Sequence, residues 1–197
     1  MVSDTEAVGR QCILDQAQRL FFAHGYNGVS IREIVHACGL SNGALYYHFG
    51  SKQNLFVQVF KEYVARATRQ LQQVGAGQGS CRERLAGMAD AYAQFILESR
   101  SEMQMLHRDL VHCAKEEVQG LLPGTLRQIP SLFATVLEEG IAAGEIRPMD
   151  TRRVSFLLLG MVNALTFRRM FGQAARSLSE DIDLAINILF EGIGTQS

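Results

Sequence analysis

The chain has 197 residues, 47% of them hydrophobic and 20% charged, with a formal net charge of −1. That length suits one medium domain or two small ones, and the apolar fraction is enough for a sizeable core. Neutrality overall excludes a strongly basic coat as the basis of any nucleic-acid contact, so such a contact must rest on particular residues.

Asp4, Glu6 and Arg10 break up the start of the chain, which therefore lacks the layout of a secretory signal. The most apolar run, Val154 to Phe167, is 14 residues long and contains Ser155, Asn163 and Thr166. It reads as a buried helix rather than a membrane span. A cytoplasmic protein with no membrane partner is expected. Charge is unevenly spread: residues 1–74 carry seven Lys/Arg against five acids, and the remainder 12 against 15. Cys12, Cys38, Cys81 and Cys113 are far apart and form no CxxC, so four reduced, mostly buried thiols are expected. A redox-sensing thiol is the sharper alternative, and nothing local marks one.

Only three prolines occur, and no window alternates with period two, so the chain reads as all-α, with about nine helices. A first helix is expected over about 11–24, with Ile13, Ala17, Leu20 and Phe21 on one face and Gly25 as its stop. Ser30 caps a second helix through Ala37, and Ser41 a third that ends near Phe49. Ser51 caps a longer fourth, with Leu55, Val59, Tyr63, Ala67 and Leu71 as its stripe. The glycine-rich run 75–79 then breaks the chain. This gives a helix-turn-helix domain over 1–55, a connector helix over 51–74 and a helical domain over 75–197.

Capping signals recur beyond the break. Ser80 with Glu83 opens a fifth helix, and Ser101 opens a segment through about Cys113. The next helix ends near Ala143, with Pro130 in its first turn or at a kink. Asp150 caps a helix to about Met170. Ser179, followed by Glu180, Asp181 and Asp183, opens the last.

The segment from Ser30 to Lys52 carries the functional signal. A helix that enters the major groove needs a seat, phosphate anchors and a few side chains at base edges. Ile31, Ile34, Leu45 and Phe49 provide the seat, and Gly39 can take the positive φ of a sharp turn. Ser30, Ser41 and Ser51 mark helix N-termini suited to phosphate oxygens. Asn42 can pair with adenine, Gly43 and Ala44 allow close approach, and Tyr46 and Tyr47 can donate hydroxyls to phosphates. Arg32 can reach a phosphate or a guanine edge. Lys52, a cation in a first turn, is explained by a nearby phosphate.

Gly25-Tyr26, Ser30-Ile31-Arg32-Glu33-Ile34, Gly39-Leu40-Ser41, Gly43, Leu45-Tyr46-Tyr47-His48-Phe49, Ser51-Lys52 and Leu55 resemble the DNA-binding signature of the tetracycline-repressor (TetR) family. The resemblance covers residues 11–60 and says little beyond residue 75. It implies a homodimeric transcriptional regulator, usually a repressor of a palindromic operator in double-stranded DNA, released by a small-molecule effector. On matching positions it makes Arg32, Asn42, Ala44 and Tyr47 base or near-base contacts, and Ser30, Tyr46, His48 and Lys52 phosphate contacts. Val35 and Cys38 stand where the family usually has other small residues, and Asn42 where a basic residue is frequent.

The last two helices are apolar over more than one face. Phe156, Gly160, Leu165, Ile186, Leu189, Phe190 and Ile193 are the candidates for a dimer interface. Met88, Tyr92, Met103, Leu106, Phe133, Leu137, Met161, Asn163 and Phe167 are the candidates for lining an apolar effector pocket. His107 and His112 lie nearly opposite one another on a helix, so no metal site is expected, and no cofactor. HExxH, GxSxG and P-loop motifs are absent, which argues against an enzyme. A DNA-binding structural protein without a ligand, and a regulator acting through a cysteine redox switch, are the alternatives.

Overall fold

The computed structural model describes residues 4–100, 102, 124–125, 127–173 and 176–193. They form eight longer helices and no strand among the described residues. We number these α1 (Asp4–His24), α2 (Ile31–Ala37), α3 (Asn42–Phe49), α4 (Lys52–Gly75), α5 (Cys81–Glu98), α6 (Gln128–Ala142), α7 (Thr151–Met170) and α8 (Leu178–Ile193). The helix expected to start at Ser101 falls almost wholly outside the described residues. The described chain divides into two compact units, one up to Tyr63 and the other from Val64 through Arg100 and from residue 127 onward.

In the first unit α1, α2 and α3 pack on one another. α1 starts seven residues earlier than its apolar stripe suggested. Glu6 stands near the added start of α1, where negative charge offsets the helix dipole. Ile13, Leu14, Ala17 and Phe21 on α1 meet Ile34 and Val35 on α2, Leu45 and Phe49 on α3, and Leu55, Phe56 and Val59 on α4 in a buried core. Ile31 is only half-buried. Phe21, Tyr26 and Phe56 form an aromatic cluster with ring centroids 5.1 to 5.8 Å apart. Ser30 and Glu33 form a complete capping box at the start of α2. Gly39 takes φ +65°, which turns the chain sharply into α3.

The second unit holds the end of α4 together with α5, α6, α7 and α8. α7 packs against α5, α6 and α8, and α5 also meets α6 and α8. Leu85, Met88, Phe133, Leu137, Leu158 and Val162 are buried there. Gly140 lets α6 approach the start of α5, since a Cβ at that position would lie 2.6 Å from Cys81 Sγ. Pro130 is the third residue of α6, inside the first turn, where a missing N–H costs nothing. Arg84 donates to the Gly75 carbonyl at 2.7 Å and pairs with Glu139 at 2.6 Å, so it closes the open end of α4. Arg169 and Asp181, both largely buried, pair at 3.0 Å and tie α7 to α8.

Two expectations are corrected. The last helix is capped by Ser177 rather than Ser179. Ser177 Oγ accepts from the Glu180 N–H at 3.2 Å, while Glu180 accepts from the Ser177 N–H at 2.8 Å. The box needs its acid three residues after the cap, and only Ser177 has it. Nor are the thiols all reduced: Cys12 on α1 and Cys38 at the end of α2 are joined in a disulfide. Helix packing brings together two residues that the sequence sets 26 apart.

Candidate nucleic-acid interface

α3 is seated by its apolar side and open on the other. Leu45 and Phe49, one turn apart, are buried, and the Arg10 guanidinium covers the Phe49 ring at 5.1 Å. Ser41, Asn42, Gly43, Tyr46 and Tyr47 are exposed, the two tyrosines by 52% and 73%. Ala44 and His48 are half-buried at the flanks of this face. The Tyr47 hydroxyl reaches Glu6 at a long 3.3 Å, and its ring stands edge-on to His48. Ser30 and Arg32 at the start of α2 are also exposed. The Ser30 hydroxyl lowers the pKa of the Glu33 carboxyl through their hydrogen bonds, so Glu33 stays ionised as part of the cap.

Ser41 occupies the N-cap position of α3 with extended backbone angles, yet its side chain makes no capping hydrogen bond. Ser51, by contrast, caps α4 by accepting from the Asn54 N–H at 3.1 Å. Lys52 has a reason for its position other than a phosphate. Its ammonium donates to the Tyr26 carbonyl at 2.5 Å and sits 4.3 Å over the Tyr26 ring. It locks the loop after α1 to the start of α4. An ammonium carries three donors, so this bond does not use up the charge.

One group was missed from the sequence. Arg10, His48, Asn54, Gln58 and Lys61 line a shallow recess of about 230 Å³ floored by Phe49 and Val57. Arg10, His48 and Lys61 lie far apart in sequence and are gathered only by packing. Nothing in the local sequence around any one of them marked the recess.

In the second unit the candidates separate by helical phase. Met88, Tyr92, Phe133 and Leu137 are buried, and Met161 is half-buried. Burial raises the pKa of the Tyr92 phenol, to which the Asn163 side chain is hydrogen-bonded. Phe167 is 59% exposed and stacks against Phe171 at 4.6 Å. It shares an exposed stripe of α7 with Phe156, Gly160 and Asn163, at spacings of four, three and four, and so belongs to the surface rather than the interior. On α8 the order is reversed: Ile186 and Leu189 turn inward, while Leu184 and Ile188 are more than half exposed. Leu165 and Phe190 are half-buried, and Arg82 covers the Phe190 ring at 5.5 Å. Met103, Leu106, His107, His112 and the Ile193 side chain lie outside the described residues. No group of three metal-ligating side chains occurs among the described residues. No helix among them is long and apolar enough to cross a membrane.

Residues 13–59 match the family described as bacterial regulatory proteins, tetR family, and residues 78–167 match the tetracyclin repressor-like C-terminal domain. The HTH-type transcriptional repressor AcnR of Corynebacterium glutamicum is 44% identical over 63 residues, which is 32% of this chain and 34% of that protein. The match thus spans about a third of that relative's length. The HTH-type transcriptional repressor KstR2 of Rhodococcus jostii is 24% identical over 135 residues, 68% of this chain and 66% of that protein. Among solved structures, the transcriptional regulator FadR of Bacillus subtilis, in complex with stearoyl-CoA, superposes with a TM-score of 0.76 at 18% identity, covering 93% of this chain and 98% of that one. The two matched regions cover both units, and the seated, outward-facing α3 has the geometry their N-terminal part implies: the chain belongs to the TetR family of bacterial regulatory proteins.

Proposed function

We propose that the chain is a DNA-binding transcriptional regulator that acts as a homodimeric repressor of a palindromic operator and is released by an apolar small molecule. The observation that carries this is α3, held by Leu45 and Phe49 and open along Asn42, Gly43, Tyr46 and Tyr47. An eight-residue helix held this way can enter a major groove without unfolding its seat. In this reading Asn42, Ala44, Tyr47 and Arg32 approach base edges. Ser30, Ser41, Tyr46, His48 and Lys52 hold phosphates on either side, and Arg10 and Lys61 add positive charge beside His48.

Residues 1–55 form the reading head, α4 the connector, and residues 75–197 the part that dimerises and binds the effector. Dimerisation is supported by Phe156, Leu157, Phe167, Leu184 and Ile188, large apolar side chains exposed on α7 and α8. One head reads too few base pairs for specificity, and a two-fold pair reads two half-sites. The effector class follows from the apolar interior around Met88, Tyr92, Phe133 and Leu137. The fold it shares with FadR, which was captured with stearoyl-CoA, supports a long-chain acyl compound as the first candidate.

Footprinting on DNA flanking the gene tests the reading. Protection of two half-sites roughly one helical turn apart is expected, with protection lost on adding acyl-CoA thioesters. Uniform binding to any DNA at equal affinity would sink it.

A further inference from the structure

The Cys12–Cys38 bridge joins two elements of the reading head, with Cα atoms 5.9 Å apart. Cys12 lies on α1 just before the buried Ile13, and Cys38 is the C-cap of α2, three residues before Ser41. The bond therefore ties the scaffold helix to the turn that launches α3. Neither cysteine is fully buried, so small molecules in solution have partial access to them. Cys81 differs: it is buried, and burial together with nearby Glu145 pushes its thiol up to about 11. A thiol with so little thiolate is a poor reductant at neutral pH. Cys113 lies outside the described residues.

A protein that reads the chromosome works where thiols are kept reduced, and disulfides there are mostly transient and redox-sensing. We propose that Cys12 and Cys38 form an oxidation site for hydroperoxides, cycling between dithiol and disulfide, and that the disulfide braces the reading head for operator binding. This rests on the operator-binding reading above and adds a control to the same site.

The chemistry balances without a metal. One thiolate attacks a peroxide oxygen; an S–O bond forms, the O–O bond breaks, and the leaving oxygen takes a proton to become an alcohol, or water from hydrogen peroxide. The sulfur of the second cysteine then displaces the hydroxyl of the sulfenic acid; the S–S bond forms and water leaves. The two sulfurs lose two electrons and the peroxide gains them. A small dithiol reverses the reaction by exchange.

In the bridged form Asn42, Tyr46 and Tyr47 are exposed, so the bond covers none of the reading side chains. Bracing the turn lowers the ordering cost of binding, so the oxidised protein binds operator roughly three- to ten-fold tighter.

Full-length protein treated with dithiothreitol or hydrogen peroxide, then alkylated, digested and mapped by mass spectrometry, tests the pair directly. The same samples go to an operator mobility shift. Expected are a linked Cys12–Cys38 peptide pair only after peroxide and the tighter shift described. Cys12→Ser and Cys38→Ala are expected to lose both effects while keeping the reduced wild-type affinity. Both cysteines remaining alkylatable after peroxide would overturn the proposal, as would linkage to Cys81 or Cys113 instead. A bridged protein that binds operator no better than the reduced one would overturn the brace. The peptide map uses wild-type protein, so it decides the pairing even where a variant fails to fold. Failure of both redox states to shift DNA would count against operator reading alone, while the map still decides the thiol pair.

Discussion

The Lys52 ammonium bonds the Tyr26 carbonyl and so holds the loop after α1. Lys52→Ala should lower stability by about 1–2 kcal/mol through the stranded carbonyl, read in a urea melt. If it also holds a phosphate, the slope of log affinity against log salt should fall by about one; an unchanged slope would confine Lys52 to its structural role. Asn42→Ala and Tyr47→Phe touch nothing in the core. Each should weaken operator binding, by about 1–3 kcal/mol where a base contact is lost, with the melting temperature unchanged. Cys81 gives a pH signature. Its thiol ionises near its ordinary 9.0 when unfolded and only at about 11 when folded. Between those values the unfolded chain releases the proton first, so stability falls as pH rises through that window. Cys81→Ala should flatten that part of the pH–stability curve.

At the level of single helices the sequence was most legible where local chemistry decides. Ser30, Ser80 and Asp150 accept from the N–H groups they were expected to cap, because a capping pattern is written within four residues. Seating of α3 by Leu45 and Phe49 was legible for the same reason: the spacing fixes the face. What escaped was set by distant partners. The disulfide, the Arg10–His48–Lys61 recess and the Arg169–Asp181 pair each join residues whose neighbourhood exists only after folding. Ser179 was expected to open the last helix because three acids follow it, which is a signal of charge rather than of hydrogen-bond geometry. Ser177→Ala should cost about 1 kcal/mol, and Ser179→Ala little, in parallel melts. Gly140→Ala should cost about 1–3 kcal/mol, since the added methyl meets Cys81 where α5 and α6 touch.

For the whole molecule, the proposed dimer places its interface on the exposed apolar stripes of α7 and α8. Charged replacements at Phe167 and Ile188 together should yield a monomer by sedimentation and abolish the two-half-site footprint, while the helical content of each chain persists. The proposed effector can be tested thermally: a ligand at roughly 100 times its dissociation constant raises stability by about 2.7 kcal/mol. Acyl-CoA thioesters should therefore raise the melting temperature in proportion to the logarithm of their concentration. The cap that Ser41 leaves unmade on α3 has a consequence for motion. The first turn of that helix should breathe more than its neighbours, so amide protons around Asn42 to Ala44 should exchange with deuterated solvent early. Operator DNA should slow them, and a short helix that frays in free solution would reach its full rigidity only inside the groove.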